Sequence, residues 1–274
     1  MRAIAAVMVG ELGLPLPRQF TVFVYPTRSE YEQGLVREGT LSPTRAAEIA
    51  EYSVGLGQHR RLFVNDEAFR GGCRSAWLGV VAHELTHAAQ YELSGGRRGR
   101  SEQWLREGMA DWVTFRLLER LGEGTFAGHR KGAMAIVRQA LPVLQERPLD
   151  LVDLGRPAGW EAQALRTNGR LAYQLAFLLT DDLIRHQGFD RLLEYFRSFA
   201  DSDDRLRHFQ QAFGLSVAEF GQDALRRIRQ EIEREELTPV QDAAAVISSV
   251  TAESRLMDEA EQCPADLIDA GSSQ

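Results

Sequence analysis

Residues 80–90 read VVAHELTHAAQ, and the five at their centre, His83-Glu84-Leu85-Thr86-His87, constrain this chain more than any other stretch. The small and apolar residues around them predict a helix. Positions i and i+4 stand about 40° apart on a helix of 3.6 residues per turn. Both imidazoles can therefore reach one metal ion from one face. Glu84 projects beside that face, where it can touch a metal-bound water without ligating the metal. A catalytic zinc takes three protein ligands and keeps a fourth position open, and two histidines with one glutamate are a recurring set. The chain should then offer a carboxylate that folds back onto the pair.

A second helical run, Trp104-Leu105-Arg106-Glu107-Gly108-Met109-Ala110-Asp111-Trp112, places Glu107 twenty residues after His87. Gly108 removes a side chain beside it and lets helices approach closely. Between the runs, Ser94-Gly95-Gly96-Arg97-Arg98-Gly99-Arg100 can turn the chain back, so Glu107 is the expected third ligand. Asp111 has a physical role open to it, because a ligand histidine nearly always donates its other N–H to an oxygen.

Over residues 80–112 the chain resembles the gluzincins, the thermolysin and aminopeptidase-N superfamily, and most of all bacterial peptidase MA-like domains. The interval from His87 to Glu107 is similar to thermolysin, and the Trp-Leu-x-Glu-Gly-x-Ala wording to the aminopeptidases. The resemblance implies one Zn2+ held by His83, His87 and Glu107, Glu84 as catalytic base, and Asp111 supporting a ligand histidine. It also implies an oxyanion-stabilising residue near Tyr173, which lies ninety residues after His83 and precedes an apolar run. Arg170, three residues before Tyr173, is a candidate for a substrate carboxylate or carbonyl. In a gluzincin the strand before the zinc helix is the sheet edge that holds an extended substrate. That role would fall to residues 61–65, with Asn65 a candidate substrate contact at their end. The Gly-x-Met-Glu-Asn motif by which aminopeptidases grip a free N-terminus is absent, so nothing points to an exopeptidase.

The remaining composition narrows the alternatives. A chain of 274 residues with 44% hydrophobic content can bury a sizeable core. Its net charge of −7 resides mostly after residue 237, where seven acids face Arg255 alone. The body is thus nearly neutral, and no nucleic-acid affinity is expected. No apolar run is long enough for a membrane span. Cys73 and Cys263 fit no metal pattern and are expected as free thiols. As written the chain shows no signal peptide and is expected in the cytoplasm; a true start lying upstream would make it an exported protein.

Along the chain, periodicity predicts a helix at 4–14, strands at 20–25 and 61–65, and a short helix at 29–37. Residues 46–57 are ambiguous. Helices are expected at 74–93, 103–121, 131–144, 171–186, 189–199, 203–213 and 217–236, with Gly188 and Gly214 as stops. The fold class is therefore α+β, of zincin-like (gluzincin) type by the resemblance: a small N-terminal sheet with a zinc-binding helix pair, then a mostly helical lobe. Residues 1–125 form the first lobe, 126–237 the second, and 238–274 a mobile acidic tail. His59, His129, His186 and His208 read as packed or solvated residues, and the Arg97–Arg100 turn as a solvated one.

The expectation is a zinc metallopeptidase acting on a peptide or protein substrate, with Glu84 moving the proton and Tyr173 assisting the oxyanion. Two alternatives stay open: a metal-binding scaffold that has lost turnover, and a hydrolase of a non-peptide amide or ester. Oligomeric state is not legible.

Overall fold

The structure is a computed structural model, and it describes residues 1–237 apart from 71, 73, 98, 99, 147, 148 and 167. The elements run α1 (Arg2–Gly10), β1 (Thr21–Tyr25), α2 (Arg28–Arg37), α3 (Pro43–Tyr52), β2 (Gly55–Gln58), β3 (Arg61–Asn65), α4 (Arg74–Leu93) and α5 (Gln103–Arg120). They continue as α6 (Phe126–Glu146), α7 (Leu151–Leu154), α8 (Pro157–Arg166), α9 (Asn168–Gln187), α10 (Phe189–Arg197), α11 (Arg205–Phe213) and α12 (Val217–Leu237). The protein is mostly helical with one small sheet, which is an α+β composition.

Strand order is β1-β3-β2, with β1 parallel and β2 antiparallel to β3. This corrects one expectation. The strand at Arg61–Asn65 is the centre of the sheet and not its edge. Asn65 is buried, sits opposite Tyr25 on one side, and donates its N–H to the Val54 carbonyl at 2.9 Å on the other. A substrate backbone cannot pair there, because both sides of the strand are taken. The edge beside β3 is β2, within the stretch whose periodicity was ambiguous. That stretch divides into α3 and β2, and Ser42 marks the start of the helix by accepting from Arg45 N–H, with Pro43 at the first helical position.

Side chains alternate across the sheet as the pleat requires. Leu56 and Phe63 join Tyr31 and Leu35 of α2 and Ala46 and Ile49 of α3 in a small outer core. Leu62 and Val64 point the other way, into a main core that continues to Ile232 of α12. Against that face lies α4, buried on almost every side between β2 and α5. A helix so placed has no polar stripe to show. Two glycines make the strand-to-helix contact possible. A Cβ on Gly55 would fall 2.8 Å from Val80 Cγ1, and one on Gly57 2.1 Å from Glu84 Oε2.

Beyond α4, the chain reverses through Gly95 and Gly96, whose φ values of 69° and 77° lie in the left-handed region that glycine adopts without steric cost. The next helix, α5, is sandwiched between α4 and α9. Gly108 sets its distance from α9, since a Cβ there would lie 2.2 Å from the Ala176 carbonyl oxygen. Its first turn is anchored from the far end of the chain. Arg205 pairs with the fully buried Glu102 carboxylate, Tyr195 Oη accepts from Glu102 N–H at 2.9 Å, and Gln103 N–H donates to Gly155 at 3.0 Å. Burial pushes the Glu102 carboxyl up to about 7 even though Arg205 pulls it down. Arg130 of α6 forks onto Glu231 of α12 at 2.6 and 2.8 Å and reaches Asp181 of α9 at 2.9 Å. Trp112 of α5 donates to the same Asp181, so four helices are tied together.

Other differences are shifts of boundary. The first helix is Arg2–Gly10, not 4–14, and α6 starts five residues earlier than periodicity suggests. Helices α7 and α8 had no expectation attached. No helix among the described residues is long and apolar enough to cross a membrane. The tail at 238–274 and both cysteines lie outside the described residues.

Candidate metal centre

One turn of α4 and the second turn of α5 meet to bring His83, His87 and Glu107 together. The Nε2 atoms of the two histidines are 3.1 Å apart, and Glu107 Oε2 lies 3.3 Å from His83 Nε2 and 3.4 Å from His87 Nε2. Each of the three residues is held from behind by a different partner. His83 Nδ1 is 2.8 Å from Asp111 Oδ1, one turn after Glu107 on α5. His87 Nδ1 is 2.9 Å from Gln90 Oε1, whose amide nitrogen donates to the Arg106 carbonyl at 2.9 Å. Glu107 Oε1 accepts from Gln103 Nε2 at 2.8 Å.

These partners determine the tautomers. A carboxylate and an amide carbonyl only accept, so each Nδ1 carries its proton and each Nε2 presents a lone pair. Two such lone pairs and a carboxylate oxygen then converge at little more than 3 Å with no hydrogen between them. That arrangement is repulsive unless a cation occupies it, and the group can hold a metal ion. Without an ion, a proton is the substitute. Burial opposes charge on His83, but Asp111 and Glu107 outweigh it and raise the pKa well above 6.5. Glu107 shows the reciprocal effect: burial would raise it, yet His87 and His83 hold it well below the usual carboxylate range.

His87 is the most exposed of the three. His83 and Glu107 keep 6% and 3% of their side chains exposed, whereas His87 keeps 16%. Glu84 is buried beside the cluster and accepts a hydrogen bond from the Gly57 backbone of β2. Burial raises its pKa above 4.5, although His87 and His83 pull it down. Tyr173 comes from α9, with its ring 6.3 Å from the His83 imidazole and 5.2 Å from Trp160. Arg170 is half-buried on the first turn of α9, one turn before Tyr173.

The structure thus brings together His83, Glu84, His87, Glu107, Asp111 and Tyr173, while Asn65 belongs to the sheet interior. The other histidines have structural partners. His129 stacks on Phe115 at 4.2 Å, His59 lies tilted against Tyr91 at 3.8 Å, His186 Nδ1 is 2.7 Å from the Asp182 carbonyl oxygen, and His208 bonds Ser202 at 2.7 Å. Gln90, Gln103 and Gly57 were not anticipated. The two glutamines carried a signal, because Gln90 follows His87 by three residues and Gln103 precedes Glu107 by four, which is one helix face in each case. Gly57 carried none, since its neighbour Glu84 is remote in sequence. No family model, curated protein or solved structure matches this chain.

Proposed function

We propose that this protein is a zinc-dependent peptidase of gluzincin type, on a zincin-like fold in which residues 1–125 supply the ligands and base and residues 126–237 the opposite wall. The observation that carries the reading is the convergence of three electron-pair donors with a buried carboxylate, Glu84, directly beside them. A tetrahedral zinc with bonds of about 2.0–2.1 Å needs ligand atoms about 3.3–3.4 Å apart. The separations of 3.1, 3.3 and 3.4 Å fit that ion. A bound zinc supplies Lewis-acid activation of water and polarises a carbonyl.

The chain's own residues do the rest. Glu84 accepts the proton of the attacking water and delivers it to the leaving amine. Its burial and raised pKa favour such a shuttle, because a strongly acidic carboxylate would hold the proton too weakly to be a base. Tyr173 stands on the opposite helix and donates its hydroxyl to the carbonyl oxygen as that atom gains charge. An extended peptide is the substrate that suits a site beside a sheet edge. Strand β2 passes over Glu84, and its side away from β3 pairs with no other strand among the described residues. A peptide can add to that edge through main-chain hydrogen bonds.

Purified protein should contain one zinc per chain and cleave a quenched mixed-peptide library, and a chelator should abolish cleavage until zinc is restored. Zinc without cleavage of peptides, amides or esters would favour the scaffold alternative. Cleavage of esters or non-peptide amides only would shift the substrate class. Absence of zinc from wild type would sink the site. A second expectation concerns the strand. In Gly57→Ala the new Cβ meets the mobile end of Glu84, so the carboxylate moves while the ligands stay. Displacement of a reacting group by about 1 Å can cost roughly 10²-fold. We expect kcat/KM to fall on that order with zinc content unchanged. Full activity would mean Glu84 does not work where it stands.

A further inference from the structure

The partner of Glu107 is an amide on its own helix, and its placement bears on how many oxygens the carboxylate can offer. Gln103 and Glu107 are four residues apart on α5, one turn along the same face. Gln103 Nε2 lies 2.8 Å from Glu107 Oε1, while Oε2 is the atom 3.3 and 3.4 Å from the two imidazole nitrogens. The two oxygens therefore have different tasks. The orientation of the amide is fixed independently, since Arg106 donates to Gln103 Oε1 at 3.4 Å and so turns the NH2 group toward Glu107. Glu107 is buried, with 3% of its side chain exposed, so no bulk water competes for Oε1.

Resting on the zinc-peptidase reading, we propose that Gln103 is a positioning residue that keeps Glu107 monodentate and so preserves the open coordination position. A carboxylate can bind a metal through one oxygen or two. When both oxygens bind, a four-coordinate ion has no place left for water. The hydrogen bond from Gln103 holds Oε1 turned away from the cluster, against the electrostatic pull of the ion on both oxygens. This differs from the roles of Asp111 and Gln90, which orient imidazoles that have only one lone pair to give.

The test is cobalt substitution in the full chain, because the visible d–d absorption of Co2+ weakens as coordination rises from four to five or six. Three proteins are compared: wild type, Gln103→Met, which keeps length and helix propensity but has no donor, and Gln103→Lys, which restores an N–H. Cobalt binding is titrated and the visible spectrum recorded, alongside hydrolysis by the zinc forms. The expected result is one cobalt per chain in all three, with a weaker band and about 10–100-fold lower turnover in the Met variant, the range typical of lost outer-shell partners. The Lys variant should recover both, which a merely structural role for the glutamine would not produce. A Met variant with the wild-type spectrum overturns the proposal. So does a Met variant that no longer binds cobalt, because Gln103 would then be needed for binding itself and not for leaving a position open. If wild type binds no cobalt, the metal-site reading fails instead, and that outcome is recognised without either variant.

Discussion

Glu84→Gln is expected to leave zinc content unchanged and to lower kcat/KM by roughly 10²–10⁴-fold, the usual contribution of a positioned general base. The amide has the shape of the carboxylate, and its oxygen can still accept from the Gly57 backbone. None of the three converging atoms belongs to Glu84, so the ligand set is untouched. Only the ability to take a proton is removed. The same residue makes a prediction about pH. Glu84 is a base only when ionised, and burial raises its pKa above 4.5. Wild-type kcat/KM should therefore fall with decreasing pH as Glu84 takes up a proton, and the residual activity of the Gln variant should lack that limb. Metal analysis beside a pH–rate profile reads both. A Gln variant as active as wild type would remove Glu84 from the mechanism.

Gly108→Ala is expected to destabilise the protein by about 3 kcal/mol, the upper part of the range for overpacking a well-filled interior. Two effects compete. Alanine in place of glycine favours an exposed helix by about 1 kcal/mol. Against this, the new Cβ would stand 2.2 Å from the Ala176 carbonyl oxygen and 2.2 Å from Thr180 Oγ1. A backbone carbonyl inside α9 cannot swing aside, so the helices must separate, and the clash outweighs the propensity gain. With a urea m-value of roughly 3 kcal/mol per molar, the midpoint should drop by about 1 M. Glu107 is the neighbouring residue, so zinc should also bind more weakly. A neutral or stabilising result would show that α5 and α9 do not meet at this glycine.

Much of the centre was legible because its chemistry is local. His83, Glu84 and His87 lie within one helical turn, where spacing alone determines which side chains share a face. Glu107 and Asp111 are likewise one turn apart, and Asp111, expected as the partner of a histidine ring nitrogen, lies 2.8 Å from His83 Nδ1. Gln90 and Gln103 obey the same spacing rules and were overlooked, not hidden. Residues 61–65 show the opposite case. Their β-branched and aromatic pattern identifies a strand, but nothing in five residues reports how many neighbours that strand has. The register with β1 and β2 comes from segments on both sides in sequence, brought together by the outer core of α2 and α3.

By itself, then, the sequence determined most of the long helices, the strands at β1 and β3 and the identity of the side chains that can hold a metal, because periodicity and i,i+4 spacing are properties of a short segment. Tertiary structure alone decided which strand is the edge, that Gly57 lies against Glu84, and that Gly108 faces α9. It also decided that the start of α5 is anchored by Tyr195 and Arg205 from near the chain's far end. Each of these depends on the distance between backbones far apart in sequence. That distance is set by the packing of a whole core, in which a missing methyl group counts as much as a charged one.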